Sequence, residues 1–174
     1  RDFDFGDRKV DFFDNGFTSL LNFDFKDDAK NEYETLFSKY SQLLNTEFQG
    51  KTVVNYISSH DDGGPFDKAR AKPIEAATKL LLCPGSAQTY YGDETARTLI
   101  IEGTQGDATL RSFMNWEELA SNTQRDNYSI EEVQKHWQRL GQFRKAHPAV
   151  GAGVHEMLSE SPYIFSRVYV SDDY

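Results

Sequence analysis

The feature that most constrains the fold is a seven-residue segment, Thr52-Val53-Val54-Asn55-Tyr56-Ile57-Ser58, which is β-branched and mostly apolar without strict alternation. A strand with one wet face alternates. A run like this one needs cover on both faces, which is the condition of a strand inside a parallel sheet flanked by helices. Its neighbours supply the rest of that arrangement. Leu20-Leu21-Asn22-Phe23-Asp24-Phe25 ends in strand-like alternation, and Ser86-Ala87-Gln88-Thr89-Tyr90-Tyr91 reads as a further strand. Helical spacing appears between them. Asp27-Asp28 offers an N-cap, and Tyr33, Leu36, Phe37, Tyr40, Leu43 and Leu44 predict an amphipathic helix over 28–47, with Gly50 beyond its end. Pro73 suits a first helical position, and a short buried helix carrying Ile74, Ala77 and Leu81 runs to Pro84-Gly85.

Residues 95–128 read as irregular and polar. A last helix opens with a Ser129/Glu132 capping pair, buries Val133, Trp137, Leu140 and Phe143, and stops at His147-Pro148. After Gly151 only short strand-like pieces follow, Tyr163-Ile164-Phe165 and Val168-Tyr169-Val170. Strands alternating with helices predict an α/β chain of parallel βαβ units. The change of pattern near Gly151 predicts a second, all-β domain that is only begun.

Composition narrows the function. The 174 residues carry a net charge of −9 and no basic cluster, which argues against nucleic acid and against anionic membrane surfaces as partners. No apolar run is long enough to span a bilayer. Cys83 is the only cysteine, so no disulfide framework and no cysteine metal cluster is expected, and it reads as a small buried hydrophobe. Arg1 and Tyr174 read as cut ends, which leaves any targeting signal unaddressed.

Three places could carry chemistry. His60-Asp61-Asp62 follows the buried strand directly and is succeeded by Gly63-Gly64-Pro65. In a (β/α) barrel the strand C-termini and their loops form the active site, so a carboxylate here projects into a shared pocket. The plainer reading is a solvated loop whose aspartates cap turns. Tyr90-Tyr91-Gly92-Asp93-Glu94 ends the next strand. Asp107 precedes Arg111 by one helical turn; together they could grip vicinal hydroxyls or form an ordinary surface ion pair.

Taken together these pieces resemble the α-amylase family, glycoside hydrolase family 13. Asn55-Tyr56-Ile57-Ser58-Ser59-His60-Asp61 is similar to the family's fourth sequence region, and Pro84 to Glu94 resembles its eighth strand and loop. Asp107 to Arg111 with Met114 and Trp116, and then Phe143-Arg144-Lys145-Ala146-His147-Pro148, match the landmarks that follow. Within the family the resemblance points to cell-surface α-amylases of gut Bacteroides starch-utilisation systems. Ser59 stands where many members have Asn.

The resemblance implies the C-terminal portion of a (β/α)8 TIM barrel, about strands 6 to 8, in residues 1–148, and the start of an all-β, β-sandwich domain C in 149–174. It implies a fragment of a retaining hydrolase that cleaves α-1,4-glucosidic bonds of starch and maltooligosaccharides. Asp61 takes the place of the third catalytic carboxylate, the transition-state stabiliser. His60 takes that of the histidine contacting the sugar at the cleavage point, and Asp107 and Arg111 those of residues binding the next sugar on the non-reducing side. The nucleophile Asp and acid/base Glu of the family lie upstream, so the fragment alone is expected to be inactive. No metal ligand and no cofactor is implied in this segment; calcium belongs to the missing domain B. An extracellular or cell-surface location is implied, and self-association through an exposed barrel edge is expected. The alternative is a non-catalytic carbohydrate-binding or scaffold protein on the same fold.

Overall fold

A computed structural model describes residues 2–170. Its centre is a three-stranded parallel sheet of β3 (Ser19–Asn22), β4 (Thr52–Asn55) and β5 (Ser86–Ala87), in the order β3-β4-β5. An exposed antiparallel hairpin, β1 (Asp2–Asp4) with β2 (Lys9–Asp11), precedes it. Leu20 faces Val53 and Asn22 faces Asn55 in the β3–β4 register, and Val54 faces Ser86 in the next. Val53 and Asn55 of β4 are buried and Thr52 and Val54 half-buried, so neither face of the strand is open to solvent as a wet face would be.

The crossover from β3 to β4 carries two helices, α1 (Phe25–Asp28) and α2 (Tyr33–Asn45), where the spacing predicted a single helix over 28–47. The break has a local cause. Asp28 spends its carboxylate on accepting bonds from Tyr40 Oη and Lys39 Nζ, both at 2.6 Å, so it braces the side of α2 instead of capping its start. Buried Lys79 fixes the break from the other side, donating to the carbonyls of Ala29 and Asn31 at 2.8 Å each and pairing with Glu75 at 2.6 Å. Leu36, Phe37 and Tyr40 are the buried face of α2. Each large apolar side chain so covered contributes about 1.5–3 kcal/mol.

Helix α3 (Pro73–Leu82) starts on Pro73 and buries Ala76, Ala77, Leu80 and Leu81. After a polar stretch containing α4 (Trp116–Ala120) and a small hairpin, β6 (Gln124–Arg125) with β7 (Tyr128–Ser129), comes α5 (Ile130–Ala146). Ser129 caps α5 by accepting the Glu132 amide at 3.2 Å. Val133 and Trp137 are buried as expected, but Phe143 is about half exposed and lies against His147, ring centroids 4.5 Å apart. The residue that turns inward at that level is Arg144, which donates to the carbonyls of Leu81 (2.8 Å), Cys83 (2.9 Å) and Gly85. These carbonyls end α3 and would otherwise lack partners, so the guanidinium closes the turn into β5.

Beyond the short α6 (Ala149–Ala152), the antiparallel hairpin β8 (Val154–Ser159) and β9 (Ile164–Val168) packs onto α2. Phe165 meets Phe37 edge-on at 5.4 Å, and buried His155 pairs with Glu34 at 2.8 Å. Tyr169 and Val170 lie outside β9, and residues 171–174 lie outside the described ones. Strands β4 and β5 are also shorter than their sequences suggested, because Tyr56 to Ser58 and Gln88 to Tyr91 already turn into the loops described below.

The three strands are cross-tied by amides. Asn22 Nδ2 donates to Asn55 Oδ1 at 2.8 Å, and Asn55, wholly buried, donates to the Pro84 carbonyl at 2.9 Å. Gly85 makes the approach possible: at φ +102°, a Cβ there would stand 3.0 Å from the Val53 carbonyl and 3.1 Å from Asn55 Nδ2. Gly50 also has positive φ (+75°) but open space around it. Gly85→Ala is therefore expected to destabilise by about 2–3 kcal/mol in urea unfolding, against about 1 kcal/mol for Gly50→Ala; equal losses would show that the packing at Gly85 is not limiting.

Candidate active site

Because β3, β4 and β5 are parallel, their C-terminal ends share one side of the sheet, and the loops leaving them meet there. The loop after β4 is closed at its base by the Phe66 amide donating to the Ile57 carbonyl at 2.8 Å. Between these residues it projects His60 and Asp61, whose side chains are 65% and 61% exposed. Ser59 Oγ donates to Asp61 Oδ1 at 3.1 Å and sets the carboxylate's direction while its second oxygen faces His60 Nε2 at 3.5 Å.

Arg111 comes to the same place from a 3-10 turn at Gly106–Arg111. Its Nε donates to the His60 carbonyl at 3.0 Å. Asp107 approaches the other limb of the loop: its Oδ1 lies 3.7 Å from the point where a Cβ on Gly63 would stand. The four residues singled out in the sequence thus gather on one exposed rim. The Asp107/Arg111 spacing does not produce an ion pair, since Arg111 is turned to the His60 backbone.

The two aspartates of the loop are sharply different. Asp62 is drawn inward, accepting from Tyr56 Oη at 2.9 Å, pairing with Lys26 Nζ at 3.1 Å and accepting the Gly64 amide at 3.3 Å. Burial works against its charged form, but the bonds from Tyr56, Lys26 and Gly64 outweigh it and hold the carboxyl below its ordinary range. Asp62 is a brace, and Asp61 is the open acid. The family resemblance selects Asp61, but the local pattern does not tell the two apart, because the lysine that captures Asp62 comes from α1, 36 positions earlier.

A second support lies in a stretch that the sequence marked only as a place for chemistry. The turn after β5, Gly92 to Arg97, holds two buried charged side chains. Asp93 accepts from Ser58 Oγ (2.6 Å), Arg70 Nη2 (2.7 Å) and the Tyr90 amide (3.2 Å). Arg97 donates to the carbonyls of Tyr91 (2.9 Å), Leu110 (3.2 Å) and Ser112 (3.1 Å) and to Ser112 Oγ (2.6 Å), with its guanidinium 3.8 Å from the centre of the Tyr91 ring. Gly92, at φ +83°, leaves room that a Cβ would take from Arg97. The only sequence signal was the Tyr-Tyr-Gly-Asp-Glu run itself; nothing marks an arginine for burial.

One open carboxylate, an imidazole and a guanidinium on a shared rim suit a polyhydroxylated ligand, and a carboxylate so placed can stabilise developing positive charge. Among the described residues no group of three or more His, Cys, Asp or Glu could hold a metal ion. No helix among them is long and apolar enough to cross a membrane.

The folded-state acidity of Asp62 has a measurable consequence. Its depressed pKa gives stability that is present above the ordinary carboxylate range and is lost as pH falls through the lowered folded value. Asp62→Asn is expected to flatten the melting-temperature profile below about pH 4; an unchanged acid limb would remove Asp62 as a brace.

No family model matches the chain. Over 175 aligned residues it is 34% identical to the periplasmic α-amylase of Escherichia coli strain K12, covering 96% of this chain and 24% of that protein. The chain therefore spans about a quarter of that relative's length. Among solved structures, Amy13B of Eubacterium rectale superposes with a TM-score of 0.61 at 19% identity, over 91% of this chain and 38% of that one. The α-amylase from H. orenii gives 0.56 at 19%, over 85% and 36%. These two likenesses are of fold, that of a piece of an α/β barrel. With a third of its residues shared along nearly its whole length, and with the barrel geometry to match, the chain belongs to the α-amylase family of glycoside hydrolases.

Proposed function

We propose that this chain supplies one wall of the active site of a retaining α-glucan hydrolase acting on α-1,4-glucosidic bonds of starch and maltooligosaccharides. The observation that carries the reading is the convergence of His60, Asp61, Asp107 and Arg111 at the C-terminal ends of parallel strands. β3, β4 and β5 take the places of barrel strands six, seven and eight, and the β8–β9 hairpin opens domain C. The family's calcium site falls in a domain outside this stretch.

Asp61 is the transition-state stabiliser. As the glycosidic bond breaks, positive charge builds on the sugar ring, and a carboxylate hydrogen-bonded to neighbouring hydroxyls favours the flattened ring. Ser59 already occupies one Asp61 oxygen, and the other stands beside the His60 imidazole on the exposed rim. His60 adds a hydroxyl contact at the same sugar, while Asp107 and Arg111 hold the next one. Retention also requires a nucleophile and an acid/base carboxyl about 5–5.5 Å apart. Both come from other strands of the barrel, so residues 1–174 alone are inactive. Cutting a polymer too large for import places the protein outside the cytoplasm, in keeping with its periplasmic relative. The outer edge of β3, unpaired among the described residues, is where a neighbouring strand or a second copy would pair.

In the protein expressed from the complete coding frame, Asp61→Asn is expected to lower kcat on maltoheptaose by about two to three orders of magnitude with little change in KM. Wild-type turnover in the Asn variant would remove Asp61 from the chemistry. Oligosaccharide binding without hydrolysis by the parent would instead favour a carbohydrate-binding protein on this fold.

A further inference from the structure

The two halves of the rim, the His60-Asp61 loop and the Asp107–Arg111 turn, lie about fifty residues apart in sequence and meet through few direct contacts. Both are instead anchored to one short element. Asp93 grips the first through Ser58, two positions before His60, and Arg97 grips the second through the carbonyls of Leu110 and Ser112 on either side of Arg111. We infer that the Gly92–Arg97 turn is a positioning element that sets the separation of Asp61 from Asp107 and Arg111, with Asp93 and Arg97 as its working residues.

Burial supports a geometric role. The Arg70–Asp93 side chains are 2% and 0% exposed. A desolvated ion pair of this kind is commonly no more stabilising than apolar residues of the same volume, so stability alone gives no reason for it. What it provides is direction. Asp93 fixes Ser58 and the Tyr90 amide, and Arg70 reaches the Arg97 carbonyl at 2.8 Å. Arg70 is itself held: its carbonyl accepts from Tyr128 Oη at 2.6 Å, and Asp67 accepts the amides of Ala71 and Lys72 at 2.9 Å each, which fixes the backbone where Arg70 has φ +56°. Ser112 Oγ links Arg97 to the Thr98 carbonyl, accepting from the one at 2.6 Å and donating to the other at 2.5 Å. Each loop thus has its own hydroxyl tether to the shared turn, Ser58 for one and Ser112 for the other.

The tethers can be cut separately by Ser58→Ala and Ser112→Ala, which leave the buried charges in place. The readout is amide hydrogen exchange in the protein from the complete coding frame, together with kcat and KM on maltoheptaose. Ser58→Ala is expected to speed exchange about tenfold at residues 59–64 and Ser112→Ala at residues 107–111, with α5 unchanged in both. Ser58→Ala is also expected to lower kcat about tenfold at a KM within about twofold. Unchanged exchange in the two loops, or an acceleration spread equally over α5, overturns the inference. The activity arm rests on the proposed hydrolase function. If the parent does not cleave maltoheptaose, that function fails while the exchange pattern still decides the positioning role.

Discussion

The carboxylate of Asp93 is the point on which the surroundings of the site depend. It is buried among Ser58 from the start of the loop after β4, Arg70 from the loop before α3 and the Tyr90 amide after β5. A buried carboxylate with these donors is satisfied; with Arg70 withdrawn, an uncompensated charge remains in a dry environment, at a cost of several kcal/mol, whereas losing one neutral donor leaves the ion pair in place and frees only the segment that supplied it. The three segments are therefore bound to one arrangement. Arg97 extends that arrangement to the stretch around Leu110 and Ser112, so the exposed rim is held from beneath by charged groups that solvent does not reach.

The remaining architecture serves the same end at lower resolution. Amides of Asn22 and Asn55 tie the strands together across their faces, Gly85 lets β5 come close, and Arg144 closes the turn that feeds it. Apolar side chains of α2, α3 and α5 share one core with Val53 of β4 and supply most of the stability, whereas the polar ties fix register. On this foundation Asp61 and His60 can stay open to solvent without being loose. Their loop is closed at the Ile57–Phe66 bond, braced by Asp62 toward Lys26 and Tyr56, and touched by Arg111 from the side.

Much of this was legible in the residues. The unalternating segment at Thr52 implied a strand covered on both faces, Pro73 and Ser129 marked the starts of α3 and α5, and the motif resemblance singled out His60, Asp61, Asp107 and Arg111, which the fold brings to one rim. What was not legible has a common physical origin in contacts between distant segments. Asp28 braces Tyr40 instead of capping a helix, which splits the predicted helix over 28–47. Arg144 displaces Phe143 from the inner face of α5 because three carbonyls at the end of α3 need a donor. Burial of Arg70 and Arg97 runs against the usual preference of arginine for solvent, and only the acceptors around them explain it. Local pattern fixes elements well and assigns partners poorly.

The most direct test of this account is the structure of the protein from the complete coding frame in complex with a maltooligosaccharide. The account predicts one glucose ring whose hydroxyls lie within hydrogen-bond distance of Asp61 and His60, and the adjoining ring at Asp107 and Arg111, with Asp62 still turned to Lys26 and Tyr56. A sugar bound away from this rim, or a rim that admits no sugar while the protein still cleaves starch, would contradict it.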